Sequence, residues 1–424
     1  MSPTFASLSV RNYRWWASGA FVSNVGTWMG RVAQDWLVLT VLTDHSSTAL
    51  GLVTGLQFLP FLLLAPFAGA FVDRRNKRRI LLVTQTLLAV TSLLLGLLVV
   101  SGHVTLWEVY ALALIQGMVT AVDNPARQTF VSEVVPTSVL ANAVSLNSAS
   151  FNAGRLIGPG VAGLLIAAIG TGPVLLLNTV SFVFVIAALL GLDKRQLHPS
   201  GPPRGRGSVR EGLGYVRRRP DLLLVMFLIF VLGTFGMNFQ ITMALMATTI
   251  FHKGVGEYGL LGSIMAIGSL SGALLSARRN QPRLRIMLVS LVGFVLAAAA
   301  AALAPSYAAF AVLLVPVGLS SLTAMTTANS LVQTRVDPDM RGRVMALYMA
   351  IFAGGTPFGA PLIGWIGEVF GARWTIAVGS VSVALALVAV AIWLRGHENV
   401  RVSYESQRRP RLAVTTRPMI EVTK

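Results

Sequence analysis

The chain has 424 residues, of which 54% are hydrophobic and only 12% charged, with a formal charge of +18 and no cysteine. A soluble domain carries about 25% charged residues, so a water-soluble protein of this length is excluded. Disulfide frameworks, thiolate metal sites and cysteine nucleophiles are excluded with it.

About 20 apolar residues cross a bilayer core of about 30 Å. Twelve such runs follow one another, at 15–42, 48–72, 80–101, 105–124, 140–169, 173–192, 222–250, 257–277, 285–304, 307–331, 342–367 and 374–394. The segment before the first run opens Met1-Ser2-Pro3-Thr4, and that run is too long for the apolar region of a cleaved signal. The positive charges punctuate these runs, which fits membrane topology better than a nucleic-acid partner. With the N-terminus placed inside, 30 of the 34 lysines and arginines fall on the inner side. The outer side holds only Lys253 and Arg373, while Arg31 and Arg155 lie within spans. That asymmetry predicts two cytoplasmic termini in a multi-pass protein of the cell membrane.

The stretch 193–221 is rich in proline, glycine and arginine and reads as a cytoplasmic linker. Within it, Ser208-Val209-Arg210-Glu211 has capping-box spacing and predicts a short basic helix towards Arg219. The linker separates an N-terminal six-helix half, 1–192, from a C-terminal one, 222–394. A weak repeat supports two related halves: Pro136 and Gly158-Pro159 fall on Pro338 and Ala360-Pro361 at one offset, and Gly69-Ala70 falls on Gly272-Ala273 at nearly the same one. Paired halves with a substrate site between them are a transporter architecture. The tail 395–424 has no apolar period and is expected to be disordered and basic.

No phosphate-cradling Gly-x-x-x-x-Gly-Lys motif occurs, and none of the four lysines sits in such a loop. All five histidines fall in loops or the tail, which leaves no intramembrane histidine relay or metal cluster. Neither an enzyme nor a cofactor is expected.

The loop after the second run reads Gly69-Ala70-Phe71-Val72-Asp73-Arg74-Arg75-Asn76-Lys77-Arg78-Arg79. It resembles the signature between helices 2 and 3 of the major facilitator superfamily, with Asn76 where a glycine is usual. Asparagine tolerates the left-handed conformation of a tight turn better than most residues, so the departure is mild. Run five contains Gly154-Arg155-Leu156-Ile157-Gly158-Pro159-Gly160-Val161-Ala162-Gly163, which is similar to the Gly-Pro motif of the superfamily's antiporters. Gln116-Gly117 is present in run four, but Ala113 stands where the antiporter pattern has arginine. The segments Gly26–Met29, Val32–Leu39, Asn124–Gln128 and Leu140–Ala143 resemble the enterobactin-exporter and macrolide-efflux-like branch.

The resemblance covers about residues 10–395. It implies an all-α fold of twelve transmembrane helices in two pseudo-symmetric six-helix halves. It further implies export of drug-like or siderophore-like small molecules driven by the proton gradient. Gly69, Asp73, Arg74, Lys77 and Arg78 would then form a cytoplasmic gate, Asp73 docking at the start of a C-half helix where the dipole favours a carboxylate. The partners expected are a small-molecule substrate, protons and the lipid bilayer, with no nucleic acid, and the working unit is expected to be a monomer.

A charge at the centre of a span costs about 2.5–3.5 kcal/mol on insertion scales, so each one needs a reason. Arg31 and Asp35 stand four apart on one helix face, and Asn24 and Trp28 extend that stripe. They are either a structural ion pair or the proton-coupling site. Gln57 lies at a depth where it could reach Asp35. Asp123 lies level with Lys77 and Arg78 and is either a gate ion pair with them or a second proton site. Arg155 shares a face with Ser148 and Asn152 and has no evident partner. Asn238, Gln240 and Met325 either pack or line the substrate cavity. Two intramembrane arginines against one deep aspartate leave open a facilitator or importer of an anionic metabolite. A non-transporting scaffold or sensor is a third reading.

Overall fold

The structure, a computed structural model, describes residues 3–198, 209–277, 282–337, 339–396, 400–405 and 411–416. Among these residues fifteen α-helices follow in chain order: α1 Arg11–Trp36, α2 Ser47–Asp73, α3 Lys77–Val100, α4 Leu106–Val134, α5 Leu140–Ile169, α6 Thr171–Leu190, α7 Val209–Arg217, α8 Pro220–Val231, α9 Phe239–Leu245, α10 Val255–Ala277, α11 Leu284–Ala302, α12 Tyr307–Arg335, α13 Arg341–Gly354, α14 Thr356–Phe370 and α15 Ala372–Gly396. Eleven helical stretches among the described residues are long and apolar enough to cross a membrane. The remaining run of the sequence is α1, whose apolar character Arg31, Gln34 and Asp35 dilute. Leu164, Leu296, Leu385 and Ile392 each expose more than half of their surface, four of many large apolar side chains that face outward along these helices, as lipid solvation allows.

Two runs are each divided between two helices. Run seven comprises α8, a π-helical turn Leu232–Gly236, a break at Met237 and Asn238, then α9 and a second π turn Met246–Ile250. Run eleven is split at Gly355 between α13 and α14. Run four is longer than expected: α4 continues through Pro125 to Val134, so Asn124–Gln128 is helical. Gly170 (φ 86°) and Gly371 (φ 96°) make the tight turns from α5 to α6 and from α14 to α15, where a side chain would be strained.

Two compact units emerge. The first comprises Met1–Gly205, Asn238–Ala266 and Thr356–Thr375, and the second Arg206–Met237, Ile267–Gly355 and Ile376–Lys424. The grouping departs from the boundary at 193–221, because α9, the start of α10, and α14 pack with the first six long helices. In the first unit Tyr13, Trp16, Leu81, Phe130, Val185 and Leu189 build one buried cluster, with Trp16 edge-on to Phe130 at 5.1 Å.

In the second unit the expected short helix before Arg219 is present as α7, although Ser208 of its capping box, like Pro338 of the repeat, lies outside the described residues. Glu211 of α7 pairs with Arg343 at 2.9 Å, and the Tyr215 hydroxyl donates to Asp337 at 3.0 Å. Arg219 pairs with Asp221 at 3.0 Å, and that hydrogen-bonded carboxylate holds the guanidinium above its ordinary pKa. Arg335 reaches the same Asp221 at 3.5 Å.

The tail corrects one expectation. Its described parts, β1 Val400–Glu405 and β2 Arg411–Thr416, pair antiparallel, Val400 opposite Thr416 and Glu405 opposite Arg411. Alternating Val400, Val402 and Tyr404 against Leu412 and Val414 supplies a strand period that a search for helical apolar runs passes over.

Candidate functional site

Helix α1 carries Asn24, Trp28, Arg31 and Asp35 on one face, at successive spacings of three and four. Asp35 is 5% exposed, and a π-helical turn, Leu37–Leu42, begins two residues later. Its carboxylate accepts a hydrogen bond from the Tyr258 hydroxyl at 3.1 Å. Tyr258, on α10, is 2% exposed, and Trp36 stacks on its ring at 6.2 Å. Arg31 does not close an ion pair with Asp35. Its guanidinium instead lies over the Trp28 ring, 5.0 Å from the centroid. Gln57 donates to the Gln34 side chain at 3.3 Å rather than to Asp35.

Arg155 also reaches Trp28, at 5.8 Å. Its helix comes close because Gly154 and Gly158 face α1: a Cβ on Gly154 would fall 3.0 Å from Asn24, and one on Gly158 2.6 Å from the Trp28 Cβ. Asn24 donates to Ser150 at 3.2 Å, and Phe151 meets Trp28 edge-on at 6.1 Å. Asn152 donates to the Ser148 carbonyl one turn back on its own helix.

Further along α5, Pro159 and Gly163 face α10. A Cβ on Gly163 would fall 2.7 Å from the Val255 carbonyl. The Ser263 hydroxyl donates to the Leu156 carbonyl at 2.6 Å and accepts from the Gly160 N–H at 3.1 Å. At the same end of the first unit α2 meets α14. A Cβ on Gly51 would lie 2.5 Å from the Ala360 carbonyl, and the Ser47 hydroxyl donates to the Gly364 carbonyl at 2.7 Å. The Glu368 carboxylate accepts from Ser46 Oγ at 2.8 Å and from Thr48 N at 2.9 Å, so it caps the α2 N-terminus from another helix. Small residues therefore close this end backbone to backbone, and one carboxylate fastens it.

The opposite end of the first unit holds the loop from Gly69 to Arg79. Asn76 is not left-handed: at φ −69° it is the N-cap of α3, its side-chain oxygen accepting from Arg79 N at 3.0 Å. The asparagine side chain adds a cap hydrogen bond that glycine at this position would lack. Lys77 pairs with Glu133 at 3.1 Å, both buried, and Arg78 donates to the carbonyls of Leu189 and Leu190. Asp123 is therefore not their partner. It is 4% exposed and accepts from Thr84 at 2.6 Å, Gln85 at 2.7 Å and Arg127 at 3.1 Å. The extended α4 explains the difference, because it carries Arg127 one turn beyond Asp123 and Glu133 on to Lys77. Asp73 is half-exposed and among the described residues makes no hydrogen bond or ion pair, and the Arg74 side chain is exposed. A Cβ on Gly69 would meet nothing within 4 Å.

Asn238 is buried at the break before α9, and Gln240 follows on that helix. Met325, in the second unit, accepts at its carbonyl from the Tyr348 hydroxyl at 3.3 Å. Among the described residues no cluster of histidines, aspartates and glutamates has the grouping a metal needs. Tyr258, Ser263 and Glu368 escape a reading of the sequence because each acts across helices more than 100 positions apart. The only signal in the sequence is a lone polar residue near the end of an apolar run.

Residues 2–418 match the family described as transmembrane secretion effector. The chain belongs to this family of the major facilitator superfamily. The resemblance carried by the Asp73 loop and the Gly-Pro helix is thereby borne out. Among curated relatives, the Staphyloferrin A transporter of Staphylococcus aureus is 23% identical over 87% of this chain and 93% of its own length. The multidrug efflux pump Tap of Mycolicibacterium fortuitum is 26% identical over 88% and 93%. The macrolide efflux protein A of Streptococcus pyogenes is 21% identical over 84% and 90%. Among solved structures, a point mutant of the nucleoside transporter NupG superposes with a TM-score of 0.73 at 13% identity, over 90% of this chain and 99% of that one. A bacterial homologue of the lysosomal transporter Spinster, inward-facing and unoccupied, gives 0.69 at 15%, over 90% and 95%. The fold is thus the all-α major facilitator fold, and the protein is a multi-pass membrane transporter of small molecules, not an enzyme.

Proposed function

We propose that this transporter exports drug-like or siderophore-like molecules in exchange for protons by alternating access, as a single copy in the cell membrane with both termini in the cytoplasm. The halves 1–192 and 222–394 are the moving parts, joined by the linker 193–221. The relatives named above support export. One observation carries the proton coupling: Asp35, deep in an apolar span, is hydrogen-bonded to Tyr258 of the C-terminal half and is not neutralised by Arg31. Opening the end that Glu368 fastens separates α1 from α10 and so removes that hydroxyl from the carboxylate. Only a group whose proton affinity differs between two states can exchange energy between them, and Asp35 meets that requirement. Asp123, with three fixed donors, is the lesser candidate. Asp73 is the gate residue: it makes no hydrogen bond or ion pair among the described residues and engages its partner in the alternate state.

The test is uptake into inverted vesicles of a panel of dyes, macrolides and siderophores, with and without a protonophore. Concentrative uptake abolished by the protonophore supports the proposal. Equilibration without accumulation would favour a facilitator or importer of an anionic metabolite, a reading supported by Arg31 and Arg155, neither of which makes an ion pair among the described residues.

A further inference from the structure

Arg31 and Arg155 lie deep within apolar spans, Arg155 at the middle of α5. Among the described residues neither makes an ion pair or a hydrogen bond. Both guanidiniums instead approach the same ring, Trp28, at 5.0 and 5.8 Å, close enough to repel one another. The acid nearest in sequence, Asp35, is held by Tyr258. Asp35 is close enough to act on Arg31 through space but makes no direct ion pair with it, so two clustered cations share one distant carboxylate; such groups in an apolar layer face water, pair, or mark a substrate path.

Both residues are largely buried and only partly accessible. On α5 the accessible stripe through Arg155 includes Ser145, Ser148, Phe151 and Asn152, too polar to rest against acyl chains. Phe151 is 51% exposed and supplies an apolar surface beside the cations. Cation–π contact holds both guanidiniums in place without using their N–H donors. Those donors form the planar forks that match a carboxylate.

We propose that Arg31, Arg155 and Trp28 form the subsite for an anionic group of the transported molecule, a carboxylate on an aromatic or similarly flat apolar body that lies along Phe151. The inference rests on the reading that the chain carries small molecules, and it names the chemical class that this site accepts. Neutral compounds lose the two charged donors and are held by the apolar surface alone.

Binding tests this without any gradient. The full chain in lipid nanodiscs is titrated with matched pairs: 1-naphthoate against 1-naphthamide, and benzoate against benzamide. The expected result is that naphthoate binds about tenfold or more tightly than naphthamide, as charge-assisted hydrogen bonds require. Arg31→Gln and Arg155→Gln should each reduce that ratio to about threefold or less, by weakening naphthoate binding more than naphthamide binding. Arg31→Lys and Arg155→Lys, which keep the buried charge, serve if a glutamine variant is not monodisperse. Each should retain part of the preference, because lysine keeps the charge and loses the fork. Equal binding of acid and amide, binding of neither, or a preference that survives both glutamine variants would overturn the subsite. Protonophore-insensitive uptake with the naphthoate preference intact would sink proton-driven export and leave the subsite standing.

Discussion

The hydroxyl of Ser263 donates to the carbonyl of Leu156 at 2.6 Å while accepting from the N–H of Gly160 at 3.1 Å. Pro159 lies between those two backbone groups and has no N–H of its own, so the serine supports α5 where proline weakens it. Ser263→Ala should lower the stability of the purified transporter by about 0.5–1.5 kcal/mol, the net worth of a hydrogen bond, because both bonds are only partly buried. Thermal unfolding in detergent measures this, and an unchanged midpoint would remove Ser263 from the support of α5.

Glu368 fastens the start of α2, and its charge there favours the closed end by about 0.3–1 kcal/mol. Glu368→Gln should therefore speed maleimide labelling of a cysteine at Thr54, a buried position on α2, by about two- to fivefold. The native chain contains no cysteine, so the label reports only that site. Labelling at the native rate would show that the small-residue contacts hold this end without the carboxylate.

Lys77 and Glu133 are a buried pair joining α3 to α4. Removing one partner strands the other, at a cost of about 3–5 kcal/mol, whereas replacing both with apolar residues costs much less. Glu133→Gln should markedly lower the unfolding temperature, and Lys77→Met with Glu133→Leu should restore most of it. A double variant as unstable as the single one would contradict this account.

Asp73 has no partner among the described residues, so Asp73→Asn should change thermal stability by less than about 0.5 kcal/mol. Transport should nevertheless fall, because the carboxylate is needed in the other state. A ligand or contact shifts such an equilibrium only by its differential affinity. Normal uptake rates in Asp73→Asn vesicles would remove it from the gate.

Much of the fold is legible in the sequence because hydropathy over about 20 residues is a local signal, and the Asp73 loop and Gly154–Gly163 stretch are contiguous motifs. The polar stripe of α1 is legible for the same reason, since one helix face follows from spacing. What a partner does is not. Arg31 and Asp35 stand one turn apart, yet Arg31 turns back to Trp28 on its own stripe and Asp35 turns to Tyr258, on which spacing is silent. Asp123 reads as the partner of Lys77 and Arg78 only while α4 ends at the approach to Pro125, well short of Val134. Proline within a long buried helix is tolerated when neighbours restore its backbone bonds, so it is a poor place to stop.

The central claim is that Asp35 carries the exchanged proton. The direct measurement is pH-gradient-driven uptake into inverted vesicles by Asp35→Asn, together with downhill exchange of the same substrate. Tyr258→Phe, which removes the hydroxyl and leaves the ring stacked on Trp36, serves as a companion and should alter the pH dependence of uptake without abolishing it. The account predicts that Asp35→Asn expresses, binds substrate and exchanges it downhill, but no longer accumulates it against a gradient. Protonophore-sensitive accumulation at the native level in Asp35→Asn would contradict it.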